Sequence, residues 1–418
     1  MAMIRPETEM KDSGIEWIGN IPNDWKVSRV GNFFSFSSGD SLTNEDIRDD
    51  GMYLVYGANG IRGYYFKYNL DKKRILLGRV GALAGNVHIV DEKVWVTEHA
   101  LIASDKLNLV EEYYGYVFES MNLIQYSKSS AQPVISGDTL QKLRFPVPEL
   151  SEQQAIADYL DETCSKIDEI IAEAKASIDE YKELKQSVIF EAVTKGLDKN
   201  VEMKDSGIEW IGKTPVDWNI AKINRVAWTT SGATPLRSKE TEYYDNAVIR
   251  WVRTLDLNNG HVTDSSEKIT ETALKNSSCS IMPVKTVCVA MYGGAGTIGK
   301  SGILEVECAT NQAICSIVSD KKVLNPDYLH YVIMAVRKYW MKYAVGTRKD
   351  PNINQQIIAQ MRIPIPQLSK QDIIVNHLDK VTDKCDSLIT EKESLINDLE
   401  AYKKSLIYEV VTGKRRVV

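Results

Sequence analysis

The segment Gly294–Ser301 is the most specific catalytic motif in the sequence. It matches the pattern G-x-x-x-x-G-K-[ST], in which a glycine-rich loop and a lysine, here Lys300, bind the phosphates of a nucleotide. Such a loop must lead into a helix whose N-terminus faces the phosphates. The residues after Ser301, GILEVEC, instead have the pattern of a strand. A turn between two strands is therefore favoured, and a nucleotide-binding protein that uses Gly294–Ser301 stays an alternative.

Other groups that could perform catalysis or bind metal are scattered. The tetrapeptide from Asn325 to Tyr328, NPDY, falls short of the Asn-Pro-Pro-aromatic motif of adenine methylation. The six cysteines include no C-x-x-C pair, so no zinc-ligand spacing is present. The five histidines are isolated from one another and are expected to be packed or exposed side chains: His88, His99, His261, His330 and His377. The sequence thus predicts no catalytic residue, no metal site and no cofactor in this chain.

Basic, aromatic and amide side chains are concentrated in two glycine-containing regions. Arg and Lys can neutralise phosphates or contact guanine, and Asn and Gln can pair with adenine, which favours binding to double-stranded DNA. The predicted DNA-binding residues of the first region are Arg62, Tyr64, Lys72, Lys73, Arg74, Arg79 and Gln132. Those of the second are Lys300, Arg348, Lys349, Asn352, Asn354 and Gln355.

An internal repeat places these two regions in equivalent parts of the chain. The ten residues MKDSGIEWIG from Met10 recur identically from Met203, and each copy leads to an Asp-Trp pair. Further on, FPVPELSEQQ from Phe145 matches IPIPQLSKQD from Ile363. Similar ends therefore enclose two divergent middle regions, which is the pattern of a duplicated architecture.

The second repeated block predicts a long helix in each copy. Apolar residues recur at heptad spacing, so each helix has a stripe that needs a partner, and the other helix can supply it. The predicted seam comprises Leu160, Ile167, Ile171, Ile178, Tyr181 and Val188 in the first copy and Leu378, Ile389, Ile396, Leu399 and Leu406 in the second. We expect two long antiparallel helices that form a coiled coil and carry the two middle regions.

Short strand-like runs and helical runs in the middle regions predict mixed α/β domains, so the predicted fold class is α+β. The second region, from Asn219 to Pro366, has 18 basic and 12 acidic residues, whereas the first is close to neutral. The predicted organisation is a repeated segment at 1–25, a domain at 26–150, a helix at 151–200, the second repeated segment at 201–218, a domain at 219–368 and a helix at 369–418.

Composition limits the class of protein. The 418 residues carry a formal net charge of −6, so DNA binding must depend on local patches and not on overall charge. The polar N-terminus has no apolar run of the signal-peptide type, and no stretch of about 18 apolar residues occurs. We expect a cytoplasmic protein.

The repeated MKDSGIEWIG segment, the proline-containing entry to each helix and the helix ends EAVTKG and EVVTGK together resemble the specificity subunit of a type I restriction-modification system. The resemblance covers nearly the whole chain. It implies two target recognition domains, each reading one half of an asymmetric bipartite DNA target, and two helices that dock two modification (methyltransferase) subunits.

The resemblance also implies that catalysis belongs to partner subunits. Methyltransferase and restriction subunits would use S-adenosylmethionine, ATP and Mg, and this chain would be non-catalytic. Besides the nucleotide-binding alternative, a two-headed scaffold that binds proteins remains open.

Overall fold

The computed structural model describes residues 3–107, 109–127, 133–293, 296–346 and 351–417. The first half of the chain contains β1 Met3–Ile4, β2 Met10–Asp12, β3 Asn20–Pro22, β4 Lys26–Arg29, β5 Phe34–Ser38, β6 Tyr53–Gly57, β7 Gly60–Tyr65, β8 Arg74–Gly78, β9 Val87–Val90, β10 Val94–Val96, β11 Ala100–Asp105, α1 Glu111–Ser120, α2 Gly137–Lys142, β12 Arg144–Val147 and α3 Leu150–Lys195.

The second half repeats this order with extra elements. It contains β13 Met203–Asp205, β14 Lys213–Pro215, β15 Asn219–Lys222, α4 Ile223–Val226, β16 Ala227–Ser231, α5 Glu240–Tyr243, β17 Ile249–Val252, β18 Gly260–Val262, β19 Glu267–Ile269, α6 Glu271–Asn276, β20 Ile281–Met282, β21 Val287–Ala290, β22 Ser301–Leu304, β23 Cys308–Thr310, β24 Ile314–Ser319, α7 Pro326–Val336, α8 Trp340–Tyr343, β25 Val345–Gly346, β26 Pro351–Asn352, α9 Gln355–Gln360, β27 Arg362–Ile365, α10 Leu368–Val411 and β28 Arg415–Arg416.

The chain divides into two compact units. Unit 1 comprises Met1–Lys175 with Glu393–Val418, and unit 2 comprises Ala176–Lys392. Each unit therefore holds one mixed α/β domain, here called domain 1 or domain 2, together with one part of α3 and one part of α10.

The two domains share a sheet topology although their sequences differ. In each domain we call the sheet named first the main sheet and the other the second sheet. In domain 1 the main sheet has the strand order β5-β11-β8-β9 and the second sheet the order β10-β6-β7, with β10 parallel to β6. In domain 2 the orders are β16-β24-β21-β22-β18 and β19-β17-β23-β20, with β17 parallel to β23. The divergent regions of the sequence thus fold on one plan, as the duplicated architecture predicts.

Alternating burial explains how the main sheet of domain 2 forms. Val287 and Val289 on β21 pack in the core that contains α7, whereas Cys288 and Ala290 pack in a second core on the other face. Side chains alternate between the two faces of a strand, so both faces of β21 are covered. All four residues of the strand are buried.

The two long helices run antiparallel within each unit. In unit 1, Lys403 Nζ on α10 lies 2.7 Å from Asp168 Oδ2 on α3. In unit 2, Lys185 Nζ on α3 lies 2.6 Å from Asp386 Oδ2 on α10, so the same ion pair occurs twice with the partners exchanged. The prediction of two mixed domains carried by long antiparallel helices is confirmed.

The predicted seam residues lie along these helices with two degrees of burial. Leu160, Ile167, Ile171, Ile178, Leu378, Ile396 and Leu406 are buried. Tyr181, Val188, Ile389 and Leu399 are half-buried.

Candidate nucleic-acid interface

Four segments meet at one end of the main sheet of domain 1. The amide of Gly39, after β5, donates to Ala100 O at 3.2 Å, and the amide of Arg79, after β8, donates to His99 O at 2.9 Å. Ile135, before α2, donates its amide to Arg79 O at 2.9 Å. We call the segments 39–45, 79–86, 97–99 and 133–135 loop cluster 1.

Domain 2 has the same arrangement. The amide of Ala233, after β16, donates to Thr310 O at 3.0 Å, and that of Met291, after β21, donates to Ala313 O at 2.8 Å. Ile353 donates its amide to Met291 O at 3.0 Å. The described residues of segments 232–238, 291–300, 311–313 and 351–353 form loop cluster 2.

Each loop cluster depends on a glycine at the start of its first segment. A Cβ on Gly39 would lie 2.2 Å from Val96 O, and one on Gly232 would lie 1.9 Å from Thr310 O. Both distances are too short for any side chain, and the neighbouring atom is backbone oxygen in each case. Glycine therefore allows the segment to lie directly against the following turn.

Several polar atoms in loop cluster 1 have no partner within the described residues. Arg79 Nη1 donates to Ser38 Oγ at 2.7 Å, but Arg79 Nε is buried without a hydrogen bond. Thr97 Oγ1 and Glu98 Oε2 are buried and unpaired as well. Unpaired buried polar atoms are uncommon in folded proteins, so these groups give loop cluster 1 unused hydrogen-bonding capacity. Gln132 lies outside the described residues.

Arg62 and Tyr64 lie on β7, in the second sheet of domain 1. Arg62 is exposed and its Nη2 donates to Asn44 Oδ1 at 2.6 Å, so it borders loop cluster 1. Tyr64 is half-buried and its main chain pairs with Arg48.

The structure places Lys73 and Arg74 at the opposite end of β8 from Arg79. Five residues of strand span roughly 17 Å, so the two ends cannot form one patch. Lys73 Nζ is paired with Glu112, and this hydrogen bond raises the pKa of the lysine. Neighbouring Lys72 is exposed.

Arg74 is also held by acidic side chains within its own domain. Its Nη1 lies 3.1 Å from Glu111 Oε1 and 3.2 Å from Asp105 Oδ1. Burial raises the pKa of the Glu111 carboxyl, while Arg74 opposes that rise. Lys73 and Arg74 therefore join β8 to α1 through ion pairs, a structural role that accounts for both charges.

Lys300 ends the glycine-rich segment of loop cluster 2, and β22 follows it. Ser301 is buried in that strand, where its hydroxyl lies 3.1 Å from His330 Nε2, and burial lowers the pKa of His330 to about 3. The helix N-terminus that a phosphate-binding loop requires is replaced by a strand. The nucleotide-binding alternative has no structural support.

Of the remaining predicted residues in domain 2, two serve α9. Asn354 caps this helix by accepting from the amide of Ile357 at 2.8 Å, and Gln355 Nε2 donates to Thr229 O at 2.8 Å. Asn352 is exposed on β26. Arg348 and Lys349 lie outside the described residues.

The sequence interpretation overlooked the turn that each loop cluster encloses. In domain 1 it carries Glu98 and His99, and in domain 2 it carries Asn311 and Gln312. The signal was present as TEHA against TNQA, but it is short and its offset differs from those of the repeated blocks.

Both domains are anchored to the long helices by the same buried tyrosine. Tyr113 OH donates toward Pro146 O and Val411 O at 3.3 and 3.4 Å. Tyr328 OH lies 3.2 Å from the equivalent carbonyls of Pro364 and Val193. Complete burial raises the pKa of both phenols well above their usual value. The loop clusters are thus carried by domains with matched attachments.

The described residues lack two kinds of feature, a metal-ligand cluster and a membrane-spanning helix. Within the residues that the structure describes, no group of three or more His, Cys, Asp or Glu side chains is placed to hold a metal ion. Among the described helices, none is both long and apolar enough to cross a membrane.

Comparison with known proteins agrees with this architecture. The chain is 22% identical over 422 residues to the MjaVIII type I restriction enzyme specificity subunit of Methanocaldococcus jannaschii, which covers 95% of this chain and 94% of that protein. It is 33% identical over 140 residues to the type I restriction enzyme EcoprrI specificity subunit of Escherichia coli, and this match covers 32% of this chain and 35% of that protein. A solved structure described as the basis of complex assembly and conformational transition of the type I R-M system has the same fold, with a TM-score of 0.70, 12% identity and coverage of 94% of this chain and 99% of that one.

The family model described as the type I restriction modification DNA specificity domain matches this chain twice, at residues 22–180 and 215–398. Each match contains one mixed α/β domain and part of a long helix. The chain therefore belongs to the family of type I restriction-modification DNA specificity proteins.

Proposed function

We propose that this protein is the sequence-specific DNA-binding subunit of a type I restriction-modification complex. The observation that carries the proposal is the occurrence of one loop cluster in two domains that are otherwise divergent. Matched attachments to the helices keep the framework constant, while the loops differ in sequence. A constant framework with variable loops is suited to reading two different DNA segments.

Each domain reads one half of a bipartite target in this proposal. Because the side chains of loop cluster 1 differ from those of loop cluster 2, the two half-sites differ and the whole target is asymmetric. The candidate DNA contacts are half-buried Arg79 and exposed Arg62 in domain 1, and half-buried Lys300 and exposed Asn352 in domain 2. Exposed Lys72 fits a phosphate contact outside loop cluster 1. Gln132, Arg348 and Lys349 stay predictions.

Four of the residues that the sequence suggested are not part of the proposed interface. Lys73 and Arg74 are neutralised by carboxylates at the far end of β8. Asn354 accepts from the main chain of α9, and Gln355 donates to the main chain of the neighbouring strand β16.

The long helices dock two methyltransferase subunits in this proposal. Leu184 on α3 is 50% exposed, and Tyr402, the equivalent residue on α10, is 47% exposed. In unit 2, Leu184 lines a groove of about 630 Å³ together with Phe190 and Tyr339. Because the chain is duplicated, an exposed leucine or tyrosine at the same position in each copy fits two identical partners.

Catalysis belongs to the partners. The methyltransferase subunits would use S-adenosylmethionine, and restriction subunits would use ATP and Mg. The purified chain is therefore expected to show no methylation, cleavage or ATP hydrolysis, and to direct methylation to a bipartite sequence once its methyltransferase partner is added. Sequencing of methylated sites in a random DNA library measures this. Methylation without a two-part consensus, or turnover by the chain alone, would contradict the proposal.

The proposed docking surfaces can be tested by introducing a negative charge at each of them. Leu184→Glu or Tyr402→Glu should each weaken methyltransferase binding at least about tenfold, because a carboxylate is buried without a partner at the interface. The mass of the complex is measured by light scattering as methyltransferase is titrated in. Each variant should form a complex with one methyltransferase at concentrations where the unaltered chain binds two. Lys166→Glu, on an exposed position of α3, is the control that should leave assembly unchanged. Equal effects of the control and the test variants would refute these docking positions.

A further inference from the structure

The turn enclosed by each loop cluster has a constant frame and two variable residues. Its first and last residues are Thr97 and Ala100 in domain 1 and Thr310 and Ala313 in domain 2, and all four are buried. Only the two central residues of each turn differ in type. The frame holds the turn in place, so the central residues can change without loss of the fold.

The two central residues of each turn face different surroundings. The first is half-buried. In domain 2, the main-chain N–H of Asn311 donates to Val252 O at 3.0 Å, and its side-chain Oδ1 accepts from the main-chain N–H of Ala313 at 3.2 Å. Asn311 therefore braces the turn. The second central residue, His99 in domain 1 and Gln312 in domain 2, is exposed.

Gln312 is oriented by a hydrogen bond within its loop cluster, His99 lies beside Glu98, and each side chain keeps free hydrogen-bonding capacity. Thr234 donates its hydroxyl to Gln312 Oε1, and no described residue accepts from Gln312 Nε2. His99 Nδ1 lies 3.5 Å from Glu98 Oε1, and its Nε2 has no partner within the described chain. Both side chains therefore present an unused polar group beside the other loops.

We propose that His99 and Gln312 are specificity-determining residues, each contacting one base in the half-site of its own domain. The inference rests on the proposed function and assigns the base readout to this turn. An amide can pair with N6 and N7 of adenine in the major groove, so Gln312 selects adenine. The imidazole N–H of His99 can donate to N7 of a purine, so a purine is selected in the other half-site.

The test is a methylation assay with a DNA library randomised in both half-sites, using the full chain with its methyltransferase partner. Gln312→Ala should reduce the preference for adenine at one position of one half-site by about 5- to 150-fold, while the other half-site is unchanged. His99→Ala should act in the same way on the other half-site. Gln312→Glu should move the preference from adenine toward cytosine, because a carboxylate can accept from cytosine N4.

Thr234→Val separates base contact from a structural role. It removes the hydroxyl that orients Gln312 and keeps the amide, so adenine should still be preferred although overall affinity falls. If Gln312 only fixed the neighbouring loop, Thr234→Val and Gln312→Ala would lower affinity equally and leave every base preference intact. That result, or unchanged preferences in His99→Ala and Gln312→Ala, would overturn the inference. A wild-type complex with no bipartite preference would instead refute the proposed function.

Discussion

A chain in which domain 2 replaces domain 1 is expected to recognise two copies of one half-site and to lose the other half-site entirely. The exchange places Asn219–Pro366 in the position of Lys26–Pro148, with the boundaries in equivalent strands that precede and follow each domain. Because the two domains have one topology and attach by equivalent contacts, the new domain should fit the existing helices. The effect should be the replacement of half the target and not a graded loss of affinity.

The buried tyrosine makes this exchange feasible. Tyr328 of the inserted domain would meet the carbonyl of Val411, as Tyr113 does in the unaltered chain. One neighbouring difference requires attention: Glu152 accepts from Trp25 Nε1 at 2.8 Å, whereas Lys370 stands at the equivalent place on α10. Both Trp25 and Glu152 lie outside the exchanged segment, so this contact is retained.

Sequencing of methylated library DNA measures the result. The reciprocal chain, with domain 1 in both positions, is the matched control and should recognise two copies of the other half-site. A change in both halves of the target after a single exchange, in a chain whose thermal unfolding shows that it is folded, would mean that the domains do not read DNA independently.

The repeat and the heptads made the architecture predictable from sequence. An identical ten-residue segment and two proline-containing helix entries define the framework, because attachments to a common support must be kept in both copies. The same constraint keeps an equivalent ion pair between the two helices in each unit, Lys185 with Asp386 and Lys403 with Asp168. These two pairs also fix the antiparallel direction, because residue numbers rise along α3 while those of the partners fall along α10.

The candidate site was less predictable because charge in a sequence does not reveal its partners. Lys73 and Arg74 adjoin a buried strand, and their carboxylate partners on α1 come almost 40 residues later. Asn354 looked like a base-reading amide but is the cap of α9, a role that Asn commonly takes at that position. The turn residues His99 and Gln312 are polar and isolated in sequence, and the match of TEHA to TNQA around them is too short to stand out before the converging loops are seen.

Gly232 supports loop cluster 2, and its substitution is expected to have the second large effect. In Gly232→Ala, the new methyl group would meet Thr310 O at 1.9 Å and Asn311 O at 2.5 Å. Both are backbone atoms of the turn that carries Gln312, so relief of the clash requires that turn and the first loop to move apart. We expect the free energy of unfolding to fall by roughly 3 kcal/mol.

The loss of recognition should be confined to one half of the target. Domain 1 keeps its own loop cluster, so methylation should still require the half-site that it reads, while preference in the other half-site disappears. Gly260→Ala is the matched control because it lies in the same domain, on β18, where a new Cβ meets nothing within 4 Å. Thermal unfolding and sequencing of methylated library DNA should separate the two variants. If Gly232→Ala kept both half-sites, the position of the turn against the first loop would have no part in reading DNA.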